Sequence, residues 1–71
     1  MSAADSLDSL DSLARAHELL ERLQATLADL EQRADSGDTD GAIDDLTAAA
    51  ELAKEIEAEV QRARTAADAG A

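Results

Sequence analysis

His17 is the one side chain whose ordinary pKa lies near neutrality, so it is the obvious candidate for proton transfer. Catalysis needs more than a base. It also needs a nucleophile or a paired carboxylate at hydrogen-bonding reach, and no serine, cysteine or acid stands at a recognisable catalytic spacing from His17. A di-metal carboxylate site would want Glu-x-x-His pairs, but Ala14 stands three residues before the histidine. Glu51, Glu55, Glu57 and Glu59 read as a solvated face. His17 reads as a polar residue at the edge of an apolar stripe.

A second cluster carries a calcium signal. Asp38, Asp40, Gly41 and Ile43 reproduce the middle of the EF-hand pattern D-x-D-x-D-G-x-I. Position one of that loop is then Ser36 and position twelve is Thr47. Calcium requires a bidentate carboxylate at position twelve, which threonine cannot supply. A capped acidic turn accounts for the same residues without a metal. There is no glycine-rich phosphate loop, no cysteine and no basic patch. Neither catalytic residues nor a cofactor are expected in this chain.

The elements that would position these residues are two long helical patterns separated by one polar break. Leu13, Ala16, Leu20, Leu23, Leu27, Leu30 and Ala34 recur at alternating three- and four-residue steps, with Leu10 and Leu19 beside them. Leu46, Ala49, Ala53, Ile56, Val60, Ala63 and Ala67 repeat the pattern, flanked by Ile43 and Leu52. No proline or glycine interrupts either run. Asp11–Arg15, Glu18–Arg22 and Asp29–Arg33 are acid-before-base pairs four residues apart, the orientation that supports a helix. Gly37 suits the left-handed residue that ends a helix, and Thr39 or Asp40 can cap the next one. Asp44 and Asp45 then fall near the start of the second helix, and Arg62 and Arg64 near its end, both favourable to the helix dipole.

These signals predict an all-α fold of two long antiparallel helices forming a coiled-coil hairpin. The expected division is a partly ordered acidic segment 1–11, a helix 12–35, a turn 36–40, a helix 41–67 and a frayed tail 68–71. The Asp-Ser-Leu triplets beginning at Asp5, Asp8 and Asp11 repeat every three residues and so drift around a helix instead of forming a stripe. That drift is why residues 1–11 are set apart.

Alanine supplies 18 of the apolar residues and leucine ten, with no aromatic residue. Two such helices bury a single seam, which for a chain of 71 residues makes a marginal core. The remaining apolar surface is therefore expected to seek other helices, from another copy or from a different chain, in a helical bundle. The net charge of −11 disfavours direct contact with nucleic acid or anionic membrane. The acidic start lacks the apolar core of a signal peptide, and no run of about 18 apolar residues exists to span a membrane. A cytoplasmic location is expected, and the absence of cysteine agrees with a reducing compartment.

Taken together, these residues resemble the small subunit of bacterial exodeoxyribonuclease VII. Ala34-Asp35-Ser36-Gly37 stands where that family ends its first helix with Leu-Glu-Ser-Gly. In the second helix Leu46 takes the place of an aromatic and Ala49 that of a glycine. Leu52 with Lys54 matches a leucine and basic residue, Ile56 replaces a cysteine, and Val60 and Ala63 complete an ungapped run. Leu20, Leu23, Leu27 and Leu30 fit the first-helix positions. The likeness spans residues 18–67; the aromatic is missing, the turn is shorter, and residues 1–17 are additional. The resemblance implies a non-catalytic accessory subunit, several copies of which pack on long helices of a large subunit bearing a single-strand DNA exonuclease site. Without it, the same residues fit a homo-oligomeric coiled-coil scaffold or adaptor unrelated to DNA. In either case Leu13, Leu20, Leu23, Leu27, Leu30, Leu46, Ala49, Ala53, Ile56, Val60 and Ala63 are the residues expected to hold the hairpin and its partner together.

Overall fold

The computed structural model describes residues 3–70, which form two helices and no strand. Helix α1 spans Ala3–Asp35 and helix α2 spans Thr39–Gly70. They lie antiparallel as a rod of 53 × 14 × 11 Å. The expected all-α hairpin is what the chain forms, with both helices longer than the sequence reading made them. The triplet-bearing segment from residue 3 is continuous with α1, and α2 runs through the expected tail to Gly70. Arg62 and Arg64 consequently stand inside α2 and not in its last turn. Residues 1, 2 and 71, which belong to the expected terminal segments, lie outside the described residues.

The start of α1 extends where it lies against α2, a contact that propensity along one stretch of sequence does not register. Ser9 and Ser12 are half-buried there, and the Ser9 hydroxyl donates to the Ala63 carbonyl across the interface at 3.4 Å. Small side chains at this end permit that backbone approach. Asp8, near the start of α1, also suits the positive end of its dipole.

The turn between the helices satisfies its own backbone. Gly37 has φ +80°. Its N–H donates to the Ala34 carbonyl at 3.2 Å, and the Asp38 N–H donates to the Arg33 carbonyl at 2.8 Å. This pair of bonds is the Schellman arrangement, which occupies carbonyls that a helix end otherwise leaves open. Gly37 is thus the terminating residue expected from sequence. A Cβ at Gly37 would meet nothing within 4 Å, so the strain of an alanine there is purely conformational. Gly37→Ala is expected to cost about 1 kcal/mol and lower the midpoint of thermal unfolding by about 4–8 °C, as read by circular dichroism.

The cap of α2 is Asp38, one residue before the expected Thr39 or Asp40. Its Oδ1 accepts the Gly41 N–H at 3.0 Å, the usual reach of a capping carboxylate to the third helical residue. Gly41 matters by what it lacks. A Cβ on it would collide with the Asp38 carboxylate and the Arg33 guanidinium, which occupy that space.

The interface between the helices is rotated relative to the expected seam. Buried or half-buried residues recur at 9, 12, 16, 19, 23, 26, 30 and 33 in α1 and at 42, 45, 49, 52, 56, 59, 63 and 66 in α2. Asp29, Gly41 and Ala48 are half-buried alongside. Leu23, Leu30, Ala49, Ile56 and Ala63 are inside, as expected, together with Ala16. Leu13, Leu20, Leu27, Leu46, Ala53 and Val60 are not. In their place the helices turn inward Leu19, the most buried large side chain at 1% exposure, and Leu52. The difference is one heptad column, a rotation of about 50° about each helix axis.

The turn sets this phase. With only Ser36–Asp38 between the helices and the turn backbone bonded back to Gln32, Arg33 and Ala34, the last residue of α1 and the first of α2 have little rotational freedom. Arg33 then binds groups on both sides: its Nε donates to Asp29 at 2.7 Å, its guanidinium meets Asp38 at 2.9 Å, and Asp45 of α2 lies 3.1 Å from Nε. Column 12/19/26/33 is thereby drawn inward although column 13/20/27/34 is the more apolar.

Candidate protein-binding face

An antiparallel pair has a simple geometric property. Seen end-on, its two helices wind in opposite senses, so residues just clockwise of the seam on one helix face the same side as residues just anticlockwise on the other. Column 13/20/27 of α1 and column 46/53/60 of α2 each follow the inner column by one step in the chain, and so flank the seam on one common side. The antiparallel register brings Leu13 near the level of Val60, Leu20 near Ala53, and Leu27 near Leu46. The five large members of this face are exposed, from 38% at Val60 to 57% at Leu46. Leu10 and Ile43, also exposed, extend its edge. This apolar strip is the candidate interaction surface of the chain.

The other side of the seam is polar. Arg15, Glu55, Glu59 and Arg62 line a shallow groove over Leu19. Arg15 pairs with Glu18 at 3.6 Å, where the sequence suggested Asp11, and Arg62 pairs with Glu59. The first is an exposed helix pair of the kind that adds a few tenths of a kcal/mol; the second joins an exposed arginine to a half-buried Glu59. Of the other suggested pairs, Asp29–Arg33 forms. The hairpin therefore has one apolar and one charged flank, although its net charge alone would suggest acid everywhere.

The candidate chemical residues take up structural roles. His17 is exposed, and its Nε2 lies 2.8 Å from Glu21 one turn along α1, a surface pair with no nucleophile beside it. Thr47, in the position where an EF-hand needs its bidentate acid, donates its hydroxyl to the Ile43 carbonyl at 3.2 Å. Asp38 uses one carboxylate oxygen as the cap of α2 and the other on Arg33. Among the described residues no three metal-ligating side chains converge. Glu51, Glu55 and Glu57 are exposed, whereas Glu59 is half-buried beside Arg62.

The turn network has a distinct titration. The Arg33 guanidinium, hydrogen-bonded first to Asp29 and then to Asp38, is held even further above its ordinary value. That same bond from Arg33 lowers Asp29, and the Gly41 N–H followed by Arg33 lowers Asp38. Asp45 shifts the other way, raised by its contact with Asp29 and by loss of water. Its Oδ2 is buried without a hydrogen bond despite the nearby Nε, because the single Nε hydrogen points to Asp29.

Asp29 and Asp38, depressed in the fold, stabilise it above the ordinary carboxylate range, and this is lost as pH falls through their lowered values. Asp45, raised in the fold, does the reverse: stability is gained as pH falls through its raised value. Stability is thus expected to rise on mild acidification and to fall on strong acidification. Asp45→Asn should abolish the rising limb and leave the fall, which thermal melts between pH 7 and pH 3 will show.

Of the residues expected to hold the hairpin and its partner together, Leu13, Leu20, Leu27, Leu46, Ala53 and Val60 stand on the exposed face and not between the helices. Sequence reasoning passed over the Arg33 cluster, whose one signal was Arg33 standing amid Asp29, Asp38 and Asp45 around the break. Comparison with protein-family models, with curated proteins and with solved structures finds no match for this chain.

Proposed function

We propose that this chain is a non-catalytic subunit that docks its Leu13/Leu20/Leu27 and Leu46/Ala53/Val60 face against helices of a protein partner. One observation carries this reading: the hairpin buries its less apolar columns and leaves the richer pair on one side. The residues by which the sequence resembles the exodeoxyribonuclease VII small subunit include Leu20, Leu27, Leu46 and Val60 of that face. The partner proposed is accordingly the large, long-helix subunit of a cytoplasmic single-strand DNA exonuclease. The charge supports an accessory role, since a surface at −11 does not compete for the DNA that the partner must hold.

The test is sedimentation of the purified chain with such a large subunit, followed by nuclease assay. Co-sedimentation and a gain in nuclease activity are expected. A chain that assembles with itself and ignores the large subunit would replace this reading with that of a homo-oligomeric scaffold or adaptor.

A further inference from the structure

We infer that the same face pairs with a second copy of this chain, across a two-fold axis parallel to the hairpin, to make a four-helix bundle when no other partner is bound. The inference rests on the reading of this face as an interaction site, and three features select a second copy as its occupant.

The first is size. The face runs the length of about 20 helical residues, about 30 Å, and is two helices wide. It covers on the order of 600 Å² per copy, so pairing removes about 1,200 Å², the lower end of the range for a specific interface. The second is shape. The face carries a large residue on both helices at each end, and Leu20 beside the small Ala53 at its centre. A two-fold along the rod sets α1 against α2 of the copy without changing level. Each Leu20 then lies over the Ala53 of the other chain, large against small. A two-fold across the rod would instead oppose leucine to leucine and alanine to alanine, crowding one and leaving a gap at the other.

The third is charge. Beyond the face, the flanking columns are Leu10, His17, Gln24 and Glu31 on α1 and Ile43, Ala50, Glu57 and Arg64 on α2. In the lengthwise pairing His17 comes opposite Glu57 of the copy, Arg64 opposite Leu10, and Glu31 opposite Ile43. No like charges meet. Most of the acid lies elsewhere on the rod, where salt screens it beyond about 8 Å.

The absence of cysteine permits a direct test on the full chain. Sedimentation equilibrium of the wild type should give a dimer whose association strengthens as salt rises, and Leu20→Glu should weaken it by at least about tenfold, 1.4 kcal/mol, with the helical signal kept. A Leu20→Cys chain mixed with an Ala53→Cys chain should oxidise mainly to the mixed disulfide. Predominance of Leu20→Cys homodimers would overturn the lengthwise axis. A wild-type chain that stays monomeric overturns self-pairing. If that monomer still co-sediments with the nuclease subunit, the accessory role stands without it.

Discussion

Leu19→Asp will unfold the hairpin. Leu19 is 1% exposed and is the most completely buried large side chain among the described residues. Removing a buried leucine to alanine costs about 2–5 kcal/mol, and an aspartate adds the penalty of a carboxylate without water or a partner. A chain of this length has on the order of 4–10 kcal/mol of stability in total, so one such substitution removes most or all of it. The expected observation is loss of the cooperative thermal transition and of most of the helical signal at 25 °C. A variant melting within a few degrees of the wild type would show that the helices do not pack through column 12/19/26/33.

The second large effect is selective. From periodicity alone, an aspartate at Leu27 is expected to destroy folding and association together, because the sequence places Leu27 in the seam between the helices. The fold separates the two consequences. Leu27 is 41% exposed and stands on the outward face, so Leu27→Asp should change hairpin stability by no more than about 0.5 kcal/mol, as surface substitutions usually do. Association should fall by more than tenfold, because the charge would have to enter a packed apolar interface. Circular dichroism and sedimentation on one sample separate the two. Unfolding by Leu27→Asp would overturn the assignment of inner and outer columns, and unchanged partner binding would overturn the proposed face.

That contrast locates the limit of the sequence. Leu23, Leu30, Ala49, Ile56 and Ala63 were legible as inner residues because they belong to the column common to both possible seams. Leu13, Leu20, Leu27, Leu46, Ala53 and Val60 were legible as an apolar stripe but not as the columns left outside the hairpin. A helix with apolar residues in three adjacent columns can turn either of two pairs inward, and hydrophobicity favours the pair that this hairpin leaves outside. Polar residues at a few positions decided otherwise: Arg33 bridging Asp29, Asp38 and the neighbourhood of Asp45, with Gly41 leaving room for the clasp. Of those contacts Arg33–Asp45 joins the two helices and Arg33–Asp38 joins α1 to the turn, so their geometry depends on the turn being already formed.

The sequence by itself determined that the chain is two antiparallel helices, that Gly37 ends the first of them, and that more apolar surface exists than one seam can bury. Each of these follows from local chemistry: heptad spacing, the left-handed backbone that glycine accepts, and the count of leucines against the area of one interface. Only the tertiary structure decided how far the helices run, that Asp38 caps the second, and which columns face each other. The start of α1 persists where α2 covers it, and rotational phase is fixed by the closure of a three-residue turn. Neither is a property of any single stretch of the chain.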